Sequence, residues 1–332
     1  MGRALAEAFP EARAAFDEAD AAFAGEGRPE GRPLRSDVLG VEADLHPSTL
    51  LGMAPSVSKG QVRPLSSLIF EGPEDQLTLT ENTQPAILTV SIAAWRVLSA
   101  RGIVPDFVAG HSLGEYSANV AAGTLAFTDA VRIVRRRGRY MQEAVPVGHG
   151  AMAAILGLSA EVVTRACEEA AQGEIVSAAN INGAGQVVIA GAAAAVQRAI
   201  ERAKTLGAKR TIPLPVSAPF HCALMKPAEL RLAPDLRALS VSDPRVPVVA
   251  NVDAEPRRDA ASAIDALVRQ VSAPVRWEEV ILRLASEGVT TYVEVGPGTV
   301  LSGLARKIHK GAIVHNFAAP EDLAALENGL RA

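Results

Sequence analysis

The sequence predicts an α/β fold in which a small βαββαβ unit is set into a larger domain. Three observations carry this expectation. An apolar strand, a G-x-S-x-G turn and a helix follow one another around residues 104–122. Residues 150–215 alternate short apolar runs with helical periods. Further apolar runs, VPVVANV and TTYVEVG, follow with a helical stretch over 275–288 between them. Strands that alternate with helices in this way are the mark of α/β architecture.

From the start, Leu5, Phe9, Phe16 and Phe23 recur on one helical face, so residues 1–23 read as helix. Pro10 interrupts the run and suits the first position of a second helix, where its missing N–H costs nothing. Residues 24–63 are rich in Gly, Pro and Ser without a strong period, and read as an irregular insertion. TQPAILTVSIAAWRVLSA (83–100) is an apolar helix, and VPDFVA (104–109) a strand. AMAAILGL reads as a strand, SAEVVTRACEEAAQ as a helix, and EIVSAANI and GQVVIAG as strands joined by a turn at Asn182-Gly183. AAAAVQRAIERAKTLG is then a helix and AKRTIPLP a final strand. That order is the split βαβ of a ferredoxin-like unit. The expected organisation is a main domain of residues 1–149 and 216–332, with the ferredoxin-like unit at 150–215 inserted. VPVVANV and TTYVEVG are expected as buried strands of the main sheet.

Composition excludes several functions. The chain has 332 residues, 48% of them apolar and 21% charged, which is globular rather than disordered. A formal net charge of −4 gives no reason to expect a nucleic-acid partner. Cys167 and Cys222 are the two cysteines, too few for a disulfide scaffold or a four-cysteine zinc site. No run approaches the ~20 apolar residues that span a bilayer, and the charged N-terminus is not a secretory signal. The expectation is a cytoplasmic protein that needs neither a membrane nor a metal.

Gly110-His111-Ser112-Leu113-Gly114 fits G-x-S-x-G. Placed between a strand and a helix, this pattern pushes the serine Oγ outward. The Leu113 N–H then points at an oxyanion, helped by the helix N-terminus behind it. Serine needs a base. His111 adjoins Ser112 and on such a turn points away, His46 lies in the irregular insertion, and His309 and His315 read as solvated surface. His221 follows the tight VSAPF run, where the main chain changes direction. A lone histidine is more often structural, but the serine motif makes this one the candidate base.

GHSLGEYSA, RGRYMQEAVP, NINGAGQVVIAG, PVSAPFHCALMKP and VEVGPGTVLSGL together resemble the malonyl-CoA:acyl-carrier-protein transacylases, the acyltransferase family of fatty acid and polyketide synthesis. The resemblance runs over residues 1–23 and from Pro64 to the C-terminus. It implies an α/β-hydrolase-like domain with a ferredoxin-like insertion, malonyl-CoA as substrate, acyl carrier protein as partner and no cofactor. It also implies Ser112 as nucleophile, His221 as base, and the main-chain carbonyl of Gln270 as the group orienting that histidine. Arg137 would grip the malonyl carboxylate; the alternative is a surface charge in the run Arg135-Arg136-Arg137. Gln84 would line the site. Asn182 and His111 would lie on the substrate path, although Asn182 also reads as a plain turn residue. Phe220 would disfavour an α-methyl group or simply pack the core. Relatives begin with a strand and a G-Q-G-x-Q loop that supplies a second oxyanion donor. This sequence lacks that block before Met1, so a first strand is expected to be missing, through a natural start further upstream or through degradation of a paralogue. A serine hydrolase or thioesterase, and a weakly active or inactive paralogue, are the competing readings.

Overall fold

A computed structural model describes residues 1–25, 63–216 and 218–331. Apart from its end residues, the expected irregular insertion at 24–63 lies outside the described residues. The protein is a mixed α/β structure with several sheets. Its first part is helical: α1 (Arg3–Ala8), α2 (Pro10–Ala24), α3 (Leu65–Glu71), α4 (Glu74–Leu77) and α5 (Thr80–Ser99). Pro10 does open α2. Then come β1 (Val108–Ala109), α6 (Gly114–Ala122) and α7 (Phe127–Glu143).

The next segment contains β2 (Gly150–Leu156), α8 (Ala160–Ala171), β3 (Val176–Gly183), β4 (Gln186–Ala192), α9 (Ala193–Thr205) and β5 (Arg210–Pro213). Its strands form one antiparallel sheet in the order β3-β4-β2-β5. One face packs Ile155, Val187 and Ile189 against α8 and α9. The other packs Met152, Val188 and Ala190 against Cys222, with Phe220 and Leu224 alongside. The sheet thus forms a wall beneath the segment that carries His221.

The remainder holds α10 (Lys226–Arg237), β6 (Val248–Val249), β7 (Pro256–Arg257), α11 (Ala260–Gln270), α12 (Trp277–Ser286), β8 (Thr291–Val295), α13 (Val300–Ile308), β9 (Ile313–Phe317) and α14 (Asp322–Arg331). Asp259 caps α11 by accepting from the Ser262 N–H at 2.8 Å. The largest core gathers Leu5, Phe16, Leu88, Val131, Leu232 and Leu267 from α1, α2, α5, α7, α10 and α11. Each fully buried side chain of this kind contributes about 1.5–3 kcal/mol. No helix among the described residues is long and apolar enough to cross a membrane.

Three expectations are corrected. The strand expected over 104–109 is ordered as strand only at Val108–Ala109, because those two residues alone reach register with Val248–Val249. The expected single main sheet is divided among the described residues: β1, β6 and β7 form one sheet, and β8 pairs in parallel with β9 in another. An apolar run encodes a strand but not its neighbour, and β8 is half-buried throughout rather than buried. The turn expected at Asn182-Gly183 falls two residues later, at Ala184-Gly185, both with positive φ. Asn182 instead remains in β3 as the extra residue of a bulge, since Ile181 pairs Val187 and Gly183 pairs Gln186. A bulge re-aims its side chain.

Candidate active site

Ser112 stands between β1 and α6 with φ +51°, in the left-handed region that a residue with a Cβ normally avoids. Such a conformation costs of order 1–3 kcal/mol and needs support. Asn251, just after β6, supplies it. Its Oδ1 accepts the Ser112 N–H at 2.7 Å, and its Nδ2 donates to the Gly110 carbonyl at 2.8 Å. Gly110 is required by space: a Cβ there would lie 2.0 Å from the Gly114 carbonyl group, whereas one on Gly114 would meet nothing within 4 Å. Leu113 precedes the first helical residue of α6, so its N–H has no intrahelical acceptor and is free to serve an anion.

His221 also has a positive φ, +59°, and is buried. Its Nδ1 donates to the Gln270 carbonyl at 3.0 Å, and its Nε2 faces Ser112 Oγ at 2.7 Å. A carbonyl can only accept, so the proton sits on Nδ1 and leaves Nε2 free to take the serine proton. Burial, and then the charge of Arg137, push this histidine down to about 3. It stays neutral across the physiological range and so is poised as a base.

Arg137 comes from the buried face of α7 and is 2% exposed. Gly138 makes that position possible. A Cβ on it would lie 2.5 Å from the Thr80 carbonyl oxygen, so α7 approaches the start of α5 closely. The guanidinium donates to Gln84 Oε1 at 2.7 Å, to Gln270 Oε1 at 2.9 Å and to Ser112 Oγ at 3.1 Å. It also lies 5.3 Å from the centre of the Tyr116 ring. Every one of these hydrogen-bond partners is uncharged, and Arg137 makes no ion pair with a carboxylate among the described residues. A buried cation of this kind, aimed at the Ser112 hydroxyl, is set to receive an anion from outside.

Together these groups can acylate a serine and hold a carboxylate on the acyl group. The sequence profile of the family described as "Acyl transferase domain" matches residues 48–318. The chain belongs to this acyl transferase family. This family member is 52% identical over 260 residues to the malonyl CoA-acyl carrier protein transacylase of Bacillus subtilis (strain 168), covering 78% of this chain and 82% of that protein. It also matches the crystal structure of an acyl carrier protein S-malonyltransferase from Vibrio cholerae, with a TM-score of 0.85 at 41% identity over 98% of this chain and 94% of the other. A malonyl-transacylase solved in complex with its type II PKS acyl-carrier protein gives a TM-score of 0.85 at 42% identity, over 99% and 94% of the two chains.

In this acyl transferase family member the remaining expected residues divide into two groups. His111 and Asn182 meet: His111 Nε2 lies 2.9 Å from Asn182 Oδ1, and the imidazole packs against Trp277 with centroids 5.6 Å apart. Burial pushes His111 below its ordinary value, so this ring too is neutral. Phe220 is half-buried between the main core and the small sheet. His309 and His315, expected on the surface, are instead half-buried, and His309 Nδ1 lies 3.0 Å from the Tyr292 hydroxyl. His46 lies outside the described residues.

Two residues escaped the sequence reading. Asn251 is the polar interruption of the apolar run VPVVANV. Glu115 follows the serine motif and is 1% exposed. Its Oε2 accepts from Gln270 Nε2 at 2.7 Å and from the Asn251 N–H at 3.0 Å. Burial pushes this carboxyl up to about 7, against the pull of its two donors and of Arg137 and Arg257. The available signal was a carboxylate one step into a helix whose neighbouring residues are small or apolar.

Proposed function

We propose that the protein transfers a malonyl group from malonyl-CoA to Ser112, and from there to the phosphopantetheine thiol of an acyl carrier protein, in fatty acid or polyketide synthesis. The observation that carries this reading is Arg137, a buried guanidinium whose hydrogen-bond partners among the described residues are uncharged, 3.1 Å from the Ser112 oxygen. The names of the relatives point to the same substrate and partner.

The reaction divides into two matching halves. His221 Nε2 takes the Ser112 proton as Oγ attacks the thioester carbonyl. The oxyanion that forms is held by the Leu113 N–H and the N-terminus of α6. Its collapse breaks the C–S bond, and the imidazolium returns its proton to the departing coenzyme A sulfur. In the second half His221 deprotonates the carrier thiol, the thiolate attacks the malonyl ester, and Ser112 leaves with the proton restored. The Gln270 carbonyl holds the imidazole in one tautomer throughout. Arg137 pairs with the free carboxylate, and Gln84 holds the other arm of its fork. A neutral acyl group would leave that desolvated cation unpaired. Phe220 leaves little room for an α-methyl, and His111 and Asn182 line the path of the thioester arm.

We further read the architecture as an α/β-hydrolase-like domain (1–149 and 216–332) with a ferredoxin-like insertion (150–215). The strand order β3-β4-β2-β5 with both helices on one face supports this for the insertion. The reading places the reaction in the cytoplasm.

Incubation with malonyl-CoA followed by intact mass tests it. The expected result is one stable malonyl adduct that a holo carrier protein removes. Release of malonate with no adduct means a hydrolase, and neither adduct nor release means an inactive carrier-protein partner.

A further inference from the structure

We propose that Glu115 is a positioning residue for malonyl selectivity, acting through the Gln270 amide on the guanidinium of Arg137. The proposal rests on the reading of Arg137 given above. It begins from a choice that the Gln270 side chain must make. Its amide sits between a guanidinium, which only donates, and two oxygen acceptors, the Ser112 carbonyl oxygen and Oε2 of Glu115, which also accepts the Asn251 N–H. Gln270 Nε2 donates to the Ser112 carbonyl at 2.9 Å and to Glu115 Oε2 at 2.7 Å, which uses both of its hydrogens. Only then does Oε1 face Arg137 Nη2, at 2.9 Å.

A rotated amide would set Oε1 against two acceptors and its NH2 against a buried cation. Glu115 therefore decides which end of Gln270 Arg137 meets. With Gln84 Oε1 on Nη1 at 2.7 Å, two amide oxygens grip the two ends of the fork and aim Nη2 at Ser112 Oγ. The same Glu115 oxygen accepts the Asn251 N–H at 3.0 Å, and Asn251 holds the Ser112 N–H. One carboxylate oxygen thus ties the carboxylate grip to the strained turn of the nucleophile. The role requires an acceptor at that oxygen and not a charge, so glutamine is the conservative replacement.

The test compares kcat/KM for malonyl-CoA and acetyl-CoA in wild type, Glu115→Met, Glu115→Gln, Gln270→Leu and the double variant Glu115→Met/Gln270→Leu, with melting temperatures for each. Gln270→Leu keeps the main-chain carbonyl that orients His221 and removes only the amide. Glu115→Met is expected to lower the malonyl-to-acetyl ratio by about tenfold, the loss of one hydrogen bond to a charged group. Glu115→Gln should stay within about threefold of wild type, and Gln270→Leu should match Glu115→Met. The double variant should be no worse than either single one, because both cut the same chain of contacts. Equal loss towards both substrates, equal damage from the Gln and Met variants, or additivity in the double variant overturns the proposal. Should Glu115→Met fail to fold, an unchanged ratio in Gln270→Leu overturns it. A wild type that loads no malonyl overturns the functional reading and this inference with it. Loading with an unaltered ratio in the variants overturns this inference alone.

Discussion

Replacing Arg137 by alanine removes the buried cation beside Ser112 that can pair with a free carboxylate. Two of its N–H groups can pair with the malonyl oxygens, the Nη2 hydrogen aimed at Ser112 Oγ among them. A hydrogen bond to a charged group contributes about 1.5–3 kcal/mol, so two amount to about 3–6 kcal/mol. That corresponds to a fall of ~10²–10⁴ in kcat/KM for malonyl-CoA. Acetyl-CoA makes no such pair, and its kcat/KM should hold or rise as the unpaired cation disappears. A second effect follows from charge. Arg137 is the next cause after burial that depresses His221. Its removal should raise the histidine from about 3 and move the acid limb of the acetyl-CoA profile to higher pH. Steady-state rates with both thioesters and a holo carrier protein, measured from strongly acid to neutral pH, check both effects. An unchanged malonyl-to-acetyl ratio in a folded variant would refute the assignment of Arg137.

Three further outcomes are expected. Gly110→Ala should lower the melting temperature and abolish acylation, because its Cβ would strike the Gly114 carbonyl group at 2.0 Å, whereas Gly114→Ala should fold like wild type in the same thermal scan. Asn251→Ala should lower kcat for malonyl transfer ~10-fold or more, since it frees the Ser112 N–H and the Gly110 carbonyl of a strained turn; an unaltered kcat would show that the turn holds itself. His221 binds its proton near pH 3 when folded and near 6.5 when unfolded. The unfolded chain therefore takes up the proton first. Stability from this group is complete above pH 6.5 and is lost as the pH falls towards 3, by up to about 5 kcal/mol. Urea unfolding of wild type and His221→Leu over that range should show a shallower pH slope in the variant.

The local parts of this fold could be read from the chain because their causes are local. Pro10 sets the start of α2, the periods of residues 150–215 set six elements in order, and Gly110 to Gly114 set the turn of the nucleophile. Strand partners could not be read, since nothing in TTYVEVG states that β8 will pair with β9 rather than with β6. Asn182 looked like a turn residue because Asn-Gly favours turns, and a bulge kept it in β3 instead. The roles proposed for Ser112 and His221 were suggested by motif and context, and that proposed for Arg137 only by resemblance, because by composition it is one more member of a basic run. Glu115 and Asn251 were missed for a physical reason. Asn251 meets Glu115 and Ser112 across separations of 136 and 139 residues, and each looks like an ordinary polar residue beside its motif.

The central claim is that Ser112 carries the malonyl group between two thiols. The direct measurement is to load the protein with malonyl-CoA, map the adduct by peptide mass, and then add holo carrier protein and follow both masses. The account predicts an adduct on the peptide containing Ser112, none in Ser112→Ala, and appearance of malonyl on the carrier as the enzyme adduct disappears. An adduct that persists in Ser112→Ala, or one that is lost to free malonate while the carrier stays unloaded, would contradict it.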